Sequence, residues 1–246
     1  MPEECEAQTV ARILKKMLIS LKKVGRRISG AKRVWYALRP PENRSPSYWL
    51  IPRETWESQY LAGHWNYLGQ LEQLARYSVI VGYIQHLKPG GSFLDVGCGE
   101  GLLREKLSLY GYSKYLGIDI FEAAIGKAAQ RQHERTHFIR ADADDYEPAE
   151  LFDAIIFNEI LYYLKDPVKI LDRYTRALRE GGIIITSIFA VEPGPSVLEK
   201  IKAAGYSVLD EVTTEHESRV VVHPQLPSRK VWICSVFVPA SGRDLA

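Results

Sequence analysis

From residue 93 to residue 188 the chain repeats one pattern: a short apolar run, a polar step, then apolar residues at helical spacing. The apolar runs at 93–96, 115–118, 136–141, 152–157 and 183–188 read as strands, the last suited to burial on both faces. Between them, 102–110 and 121–133 predict helices, the second through Ala124, Ile125, Ala128 and Ala129. Asp166-Pro167 pairs an N-cap with proline at the first helical position, so a third helix runs from there to about 180 and stops at Gly181-Gly182. Upstream, Val79, Ile80, Tyr83, Ile84 and Leu87 predict a helix over 76–87 that Lys88-Pro89-Gly90-Gly91 ends. Residues 195–204 read as a last helix, and 206–212 and 230–238 as the last strands. Strand and helix in alternation specify an α/β fold with a mostly parallel sheet and right-handed crossovers.

The first four strands all run into polar residues: Asp95, Asp119, Asp142 and the pair Asn158-Glu159. An open α/β sheet binds its ligand at those ends. The stretch Phe93-Leu94-Asp95-Val96-Gly97-Cys98-Gly99-Glu100-Gly101 is the most specific of them. Glycine at 97, 99 and 101 permits left-handed backbone and leaves amides bare, facing a ligand together with the following helix start. The spacing differs from the dinucleotide fingerprint G-x-G-x-x-G, because the third glycine comes one residue early and an acid sits two residues before the first. Asp119 follows Gly99 by 20 residues, about where a doubly wound fold places the carboxylate that grips ribose hydroxyls.

Ahead of this region the pattern changes. Val10, Ile13, Leu14, Met17, Leu18, Leu21, Val24 and Ile28 fall on one helical face and seven Lys/Arg on the other. Such a basic amphipathic helix over 10–28 suits an anionic membrane surface, a nucleic-acid arm or packing on the domain with a solvated charged face. An organellar presequence fits less well, since the chain opens on acids. Pro40, Pro41, Pro46 and Pro52 then predict an extended linker and a boundary near 45. Residues 1–45 thus form an extension, and 46–246 the main domain with 46–90 as its cap and first helix. Trp56, Tyr60, His64, Trp65 and Tyr67 crowd into thirteen residues of that cap.

Charge divides at the same place. Residues 1–41 hold ten basic and three acidic residues, a charge of +7, and 42–246 carry −5. With no basic stripe on the main domain, a nucleic-acid acceptor is not favoured. Three cysteines without a C-x-x-C pair indicate neither a disulfide framework nor a zinc site, and no His/Asp/Glu cluster has metal-ligand spacing. No apolar run reaches the roughly 18 residues of a membrane span. A cytoplasmic protein, peripheral to a membrane if residues 10–28 dock there, is the expectation.

The 93–101 turn, together with the acids at 119 and 142, resembles the class I S-adenosylmethionine (SAM) dependent methyltransferases, whose motif I reads hydrophobic-Asp-x-Gly-x-Gly-x-Gly. The resemblance covers residues 55–240 in outline. It implies a Rossmann-like seven-stranded sheet with helices on both faces and an antiparallel final strand, a lid made by the segment before the first helix, and SAM as cofactor with S-adenosylhomocysteine as product. Carried onto this sequence, it places Asp95 near the ligand amino group and Gly97, Cys98, Gly99 and Gly101 around the methionine portion. Asp119 with Ile120 then serves the ribose, and Asp142 with the Ala143 amide the adenine. Asn158, at the end of the fourth strand, completes the cofactor set.

Methyl transfer asks the protein mainly for proximity and orientation, with a general base where the acceptor must lose a proton. Glu159 and His64 are the two candidates, and Tyr162 and Tyr163 are candidate acceptor contacts. The function expected is methyl transfer to an oxygen or nitrogen of a small-molecule or glycan or lipid-linked acceptor. A SAM-binding regulatory or scaffold protein without turnover is the alternative, and a nicotinamide oxidoreductase a third.

Overall fold

A computed structural model describes residues 53–217 and 229–239 of the chain. The basic helix expected at 10–28 and the linker at 40–52 lie outside the described residues. Those described belong to the second of two compact units, Ile51–Ala246.

Seven strands form one sheet: β1 Gly90–Val96, β2 Tyr112–Asp119, β3 Thr136–Arg140, β4 Phe152–Asn158, β5 Leu178–Phe189, β6 Ser207–Glu217 and β7 Arg229–Val238. Their order across the sheet is β3-β2-β1-β4-β5-β7-β6. The pairs from β3 through β5 are parallel, and β7 runs antiparallel to both its neighbours. The chain turns outward from β1 in both directions, so the switch point lies between β1 and β4, where such sheets hold a ligand.

The helices are α1 Arg53–Leu61, α2 Leu74–Leu87, α3 Leu102–Leu107, α4 Glu122–Ala128, α5 Pro167–Thr175 and α6 Gly194–Ala203. Short 3₁₀ turns occupy His64–Gly69, Leu71–Gln73 and Leu161–Tyr163. Two apolar layers close the sheet. On one face Leu94, Val96, Ile155, Phe157 and Ile184 pack with Ile170 and Leu171 of α5 and with Leu198 and Ile201 of α6. On the other, Phe93, Tyr115, Ile156 and Ile185 pack with Ile80 and Ile84 of α2 and with Leu103 and Leu107 of α3. Central strands are thus covered on both faces, which is why their sequences are apolar without alternation.

Element identities match the expectations and several boundaries do not. The third helix stops at Thr175, five residues early, because Leu178 already pairs with Phe152 across β4 and β5. Gly181 and Gly182 form a bulge inside β5 instead of a helix end: Gly181 is left-handed at φ 68, and a Cβ on Gly182 would lie 2.8 Å from the Arg179 carbonyl. The helix over 121–133 gives way to a 3₁₀ turn at Ala129–Arg131, and β6 extends to Glu217 through its ladder with β7. Asp166 caps α5 as read from the sequence, its carboxylate accepting the Lys169 amide at 3.2 Å.

Candidate functional site

The site is built where β1, β2 and β4 end. After β1 the chain turns through Gly97, Gly99 and Gly101 with φ of 71, 53 and 76, so all three sit in the left-handed region. The amides of Gly97 and Cys98 both donate to the Ile118 carbonyl at 2.9 Å, tying the turn to β2. Space is as restrictive as torsion: a Cβ on Gly97 would lie 2.9 Å from Ile160 Cγ1, and one on Gly101 2.9 Å from Phe138 Cζ. Around Gly99 the room is larger, with the Tyr60 hydroxyl at 3.4 Å the nearest atom to such a Cβ.

Asp119 closes this turn from below. One carboxylate oxygen accepts the Gly99 amide at 2.9 Å and the other the Phe121 amide at 3.0 Å. Burial pushes its pKa up to about 6 despite those two bonds. Asp95 is more deeply enclosed. Its Oδ2 accepts the Tyr115 hydroxyl, its Oδ1 has no hydrogen-bond partner among the described residues, and burial pushes it up to about 7. Cys98 is buried behind the turn, where burial and the neighbouring Asp119 hold its thiol protonated.

α1 lies over the turn. Lys127 joins the two by donating to the Tyr60 carbonyl at 2.8 Å and to Glu100 at 2.7 Å, while Glu57 accepts the Ala123 amide at 2.8 Å. Trp56 stacks on Trp65 at 4.4 Å and on Phe121 at 5.7 Å and meets Tyr163 edge-on at 5.2 Å. One tryptophan therefore bridges the cap, the loop after β2 and the turn after β4. His64 stands on the exposed side of this stack, edge-on to Trp65 at 5.7 Å.

At the end of β4, Glu159 adopts φ 63, the only non-glycine residue with positive φ among those described. Its carboxylate accepts the hydroxyls of Tyr162 at 2.7 Å and Ser187 at 2.9 Å. Burial raises its pKa, opposed by Arg76 and by the Tyr162, Ser187 and Trp232 hydrogen bonds. Asn158 turns its carbonyl oxygen to the buried Arg76. Asp142 is half-buried in the loop after β3 and caps its own turn by accepting the Asp144 amide at 3.0 Å; Ala143 beside it is buried, and Ile120 accepts from Arg140 through its carbonyl.

The structure thus brings Asp95, the three glycines, Cys98 and Asp119 into one cradle, and Asn158 and Glu159 into a second polar cluster at the next strand end. His64 joins neither. Arg76, Tyr115, Ser187 and Trp232 escaped sequence reasoning. Only Arg76 left a trace, as a cation within an apolar helical pattern.

An open sheet with a glycine turn after β1 and a buried acid ending β2 is a Rossmann-like nucleoside-binding architecture. Residues 94–186 match a family model described as a methyltransferase domain. The chain is 40% identical over 75 residues to nodulation protein S of Sinorhizobium fredii, covering 30% of this chain and 34% of that protein. It is 34% identical over 119 residues to a ubiquinone biosynthesis O-methyltransferase of Pseudomonas putida, covering 46% and 51%. The fold is similar to that of the N-methyltransferase NodS from Bradyrhizobium japonicum in complex with S-adenosyl-L-homocysteine, with a TM-score of 0.58, 20% identity and coverage of 70% of this chain and 90% of that one. Other relatives are named as tRNA U34 and ribosomal protein L11 enzymes, so acceptor class varies among them. Residues 94–186 thus carry a likeness to the class I SAM-dependent methyltransferases, and the sheet has the fold of their solved structures. The chain spans a third to a half of the length of these curated relatives.

SAM fits the residues present. The orphaned Asp95 oxygen is an acceptor for a cationic amino-acid end, the space at Gly99 admits a ligand against bare backbone, and the Asp119 carboxylate keeps acceptor capacity for a sugar hydroxyl beside its backbone bonds.

Proposed function

We propose that the chain transfers a methyl group from SAM to an oxygen or nitrogen of a small-molecule or glycan-type acceptor. The observation that carries this reading is the juxtaposition of two sites at adjacent strand ends: a cradle with an unpaired buried carboxylate oxygen at Asp95, and a half-buried carboxylate at Glu159 held by two hydroxyls. The first is suited to the donor and the second to the acceptor. Bound SAM supplies a methyl activated by its sulfonium. Asp95 and Asp119 anchor the donor's charged and diol ends, and the aromatic stack on Trp56 excludes water above it.

Glu159 accepts the proton that the acceptor's hydroxyl or amine releases as its oxygen or nitrogen bonds to the methyl carbon. Burial favours this role by raising the carboxylate towards the operating pH. We assign the exposed His64 to the lid, since its contact is Trp65 and not the Glu159 cluster. The charge of −5 over residues 42–246 supports a small acceptor over nucleic acid. The expectation of a peripheral membrane contact through residues 10–28 stays a proposal resting on their amphipathic pattern alone.

The test is mass spectrometry of a cell extract incubated with the protein and SAM carrying a deuterated methyl. A labelled product is expected with the parent, and none with Glu159→Gln, whose SAM affinity by calorimetry stays within about twofold. SAM binding without any labelled product would instead identify a regulatory or scaffold protein.

A further inference from the structure

Arg76 is the largest fully buried side chain of the described residues, 1% exposed. Enclosing a guanidinium is costly unless its donors and its charge are both met. Its donors are met by neutral groups. Nε and Nη2 both donate to Gln73 Oε1, at 3.2 and 2.8 Å, and Nη1 donates to Asn158 Oδ1. The Tyr77 ring lies 4.5 Å away and Trp232 5.9 Å. No carboxylate of the described residues lies within ion-pair distance of it. Its charge acts on two acids, Asp95 of the cradle and Glu159, and with Glu159 the attraction is mutual.

The bond to Asn158 falls next to the one strained residue of the site. A strand that simply continued would send Asn158 and Glu159 to opposite faces. The left-handed step at Glu159 breaks that alternation and lets both side chains join one cluster, at a cost in backbone strain. Such a step persists only when held on both sides. Here the Glu159 amide donates to the Ser187 carbonyl at 2.9 Å, and the preceding side chain is gripped by Arg76.

We propose that Arg76 is the positioning residue of the acceptor site: by gripping Asn158 it fixes the left-handed step that sets the Glu159 carboxylate between Tyr162 and Ser187, and it is that carboxylate's counter-charge. This rests on Glu159 being the proton acceptor of the proposed reaction. The groups that act on Glu159 are Arg76 of α2, Tyr162 of the 3₁₀ turn, Ser187 of β5, and Trp232 and Cys234 of β7. Arg76 is the only cation in that set. Removing it leaves Glu159 among neutral hydroxyls, an indole and a thiol, where ionisation is harder.

Trp232 makes the test independent of methyl transfer, since its indole is one of the groups that act on the Glu159 carboxylate. In the full chain without ligand, the indole N–H resonance that Trp232→Phe removes is followed against pH and reports the protonation of Glu159. In Arg76→Gln its midpoint is expected to rise by about one pH unit or more, a tenfold change in proton affinity. In Arg76→Lys, which keeps a charge but loses the planar fork, a smaller rise is expected. Asn158→Ala, which removes the grip and leaves the charge, is expected to lower labelled-product formation at saturating SAM at least tenfold. Should Arg76→Gln not fold, Arg76→Lys and Asn158→Ala carry the test. A midpoint unmoved by every Arg76 variant that folds, or an Asn158→Ala protein of parental activity, overturns the proposal. Failure of the parent to bind SAM would defeat the proposed function while leaving the Trp232 titration readable.

Discussion

The Asp119 carboxylate accepts the Gly99 amide at 2.9 Å, so the end of β2 holds the crest of the turn that follows β1. One side chain thereby shapes the cradle and presents its remaining lone pairs to whatever the cradle holds. Its two roles are separable by substitution.

Asp119→Ala removes both roles and Asp119→Asn keeps one acceptor oxygen. A loss of two hydrogen bonds to an ionised acceptor corresponds to about 2–4 kcal/mol, so SAM affinity measured by calorimetry is expected to fall at least thirtyfold in Asp119→Ala and less in Asp119→Asn. Parental affinity in Asp119→Ala would remove the ribose assignment.

Gly97 and Gly90 share nearly the same torsion, φ 71 and 72, but differ in surroundings. A Cβ on Gly90 meets nothing within 4 Å, whereas one on Gly97 runs into Ile160. Gly90→Ala should therefore cost only the left-handed strain, about 1 kcal/mol, and Gly97→Ala at least twice that. Thermal denaturation of both variants checks the ordering. Equal melting temperatures would show that Ile160 yields freely.

Asp95 and Asp119 are raised to about 7 and about 6 from an ordinary carboxylate value near 4. A group whose folded pKa lies above its unfolded one contributes stability that is full below the unfolded value and lost as pH rises through the folded value. The protein is thus expected to melt at a higher temperature at pH 5.5 than at pH 8, and Asp95→Asn to flatten that difference. A cationic ligand favours the ionised carboxylates, so SAM should bind more tightly at pH 8 and release protons near pH 6.5. Calorimetry in buffers of different ionisation enthalpy reads that release. No proton release would refute the linkage.

Trp56 joins Trp65, Phe121 and Tyr163 in one stack, with aromatic contacts of about 0.5–1.5 kcal/mol each beyond area burial. Trp56→Ala is expected to speed amide exchange of residues 53–69 at least tenfold and leave α2 and the sheet unchanged. Exchange that rises across the whole domain would mean that the stack holds up the fold, not the lid.

Much of this is legible in the sequence. The strands, their polar ends, the glycine turn and the 20-residue step from Gly99 to Asp119 are local properties, because a strand needs only consecutive apolar residues and a tight turn only its own glycines. The Asp166-Pro167 start of α5 was legible for the same reason, and the Gly181-Gly182 bulge was misread as a helix end because glycine pairs punctuate both. Tertiary structure alone decided the rest. Arg76 meets Asn158 across a separation of 82 residues, and Tyr115 meets Asp95 across 20. Neither pairing follows from spacing. Whether a cation in a helix faces solvent or an asparagine at a strand end, and whether a carboxylate keeps one oxygen unpaired, depends on which strands lie side by side, and that is fixed only when the whole sheet closes.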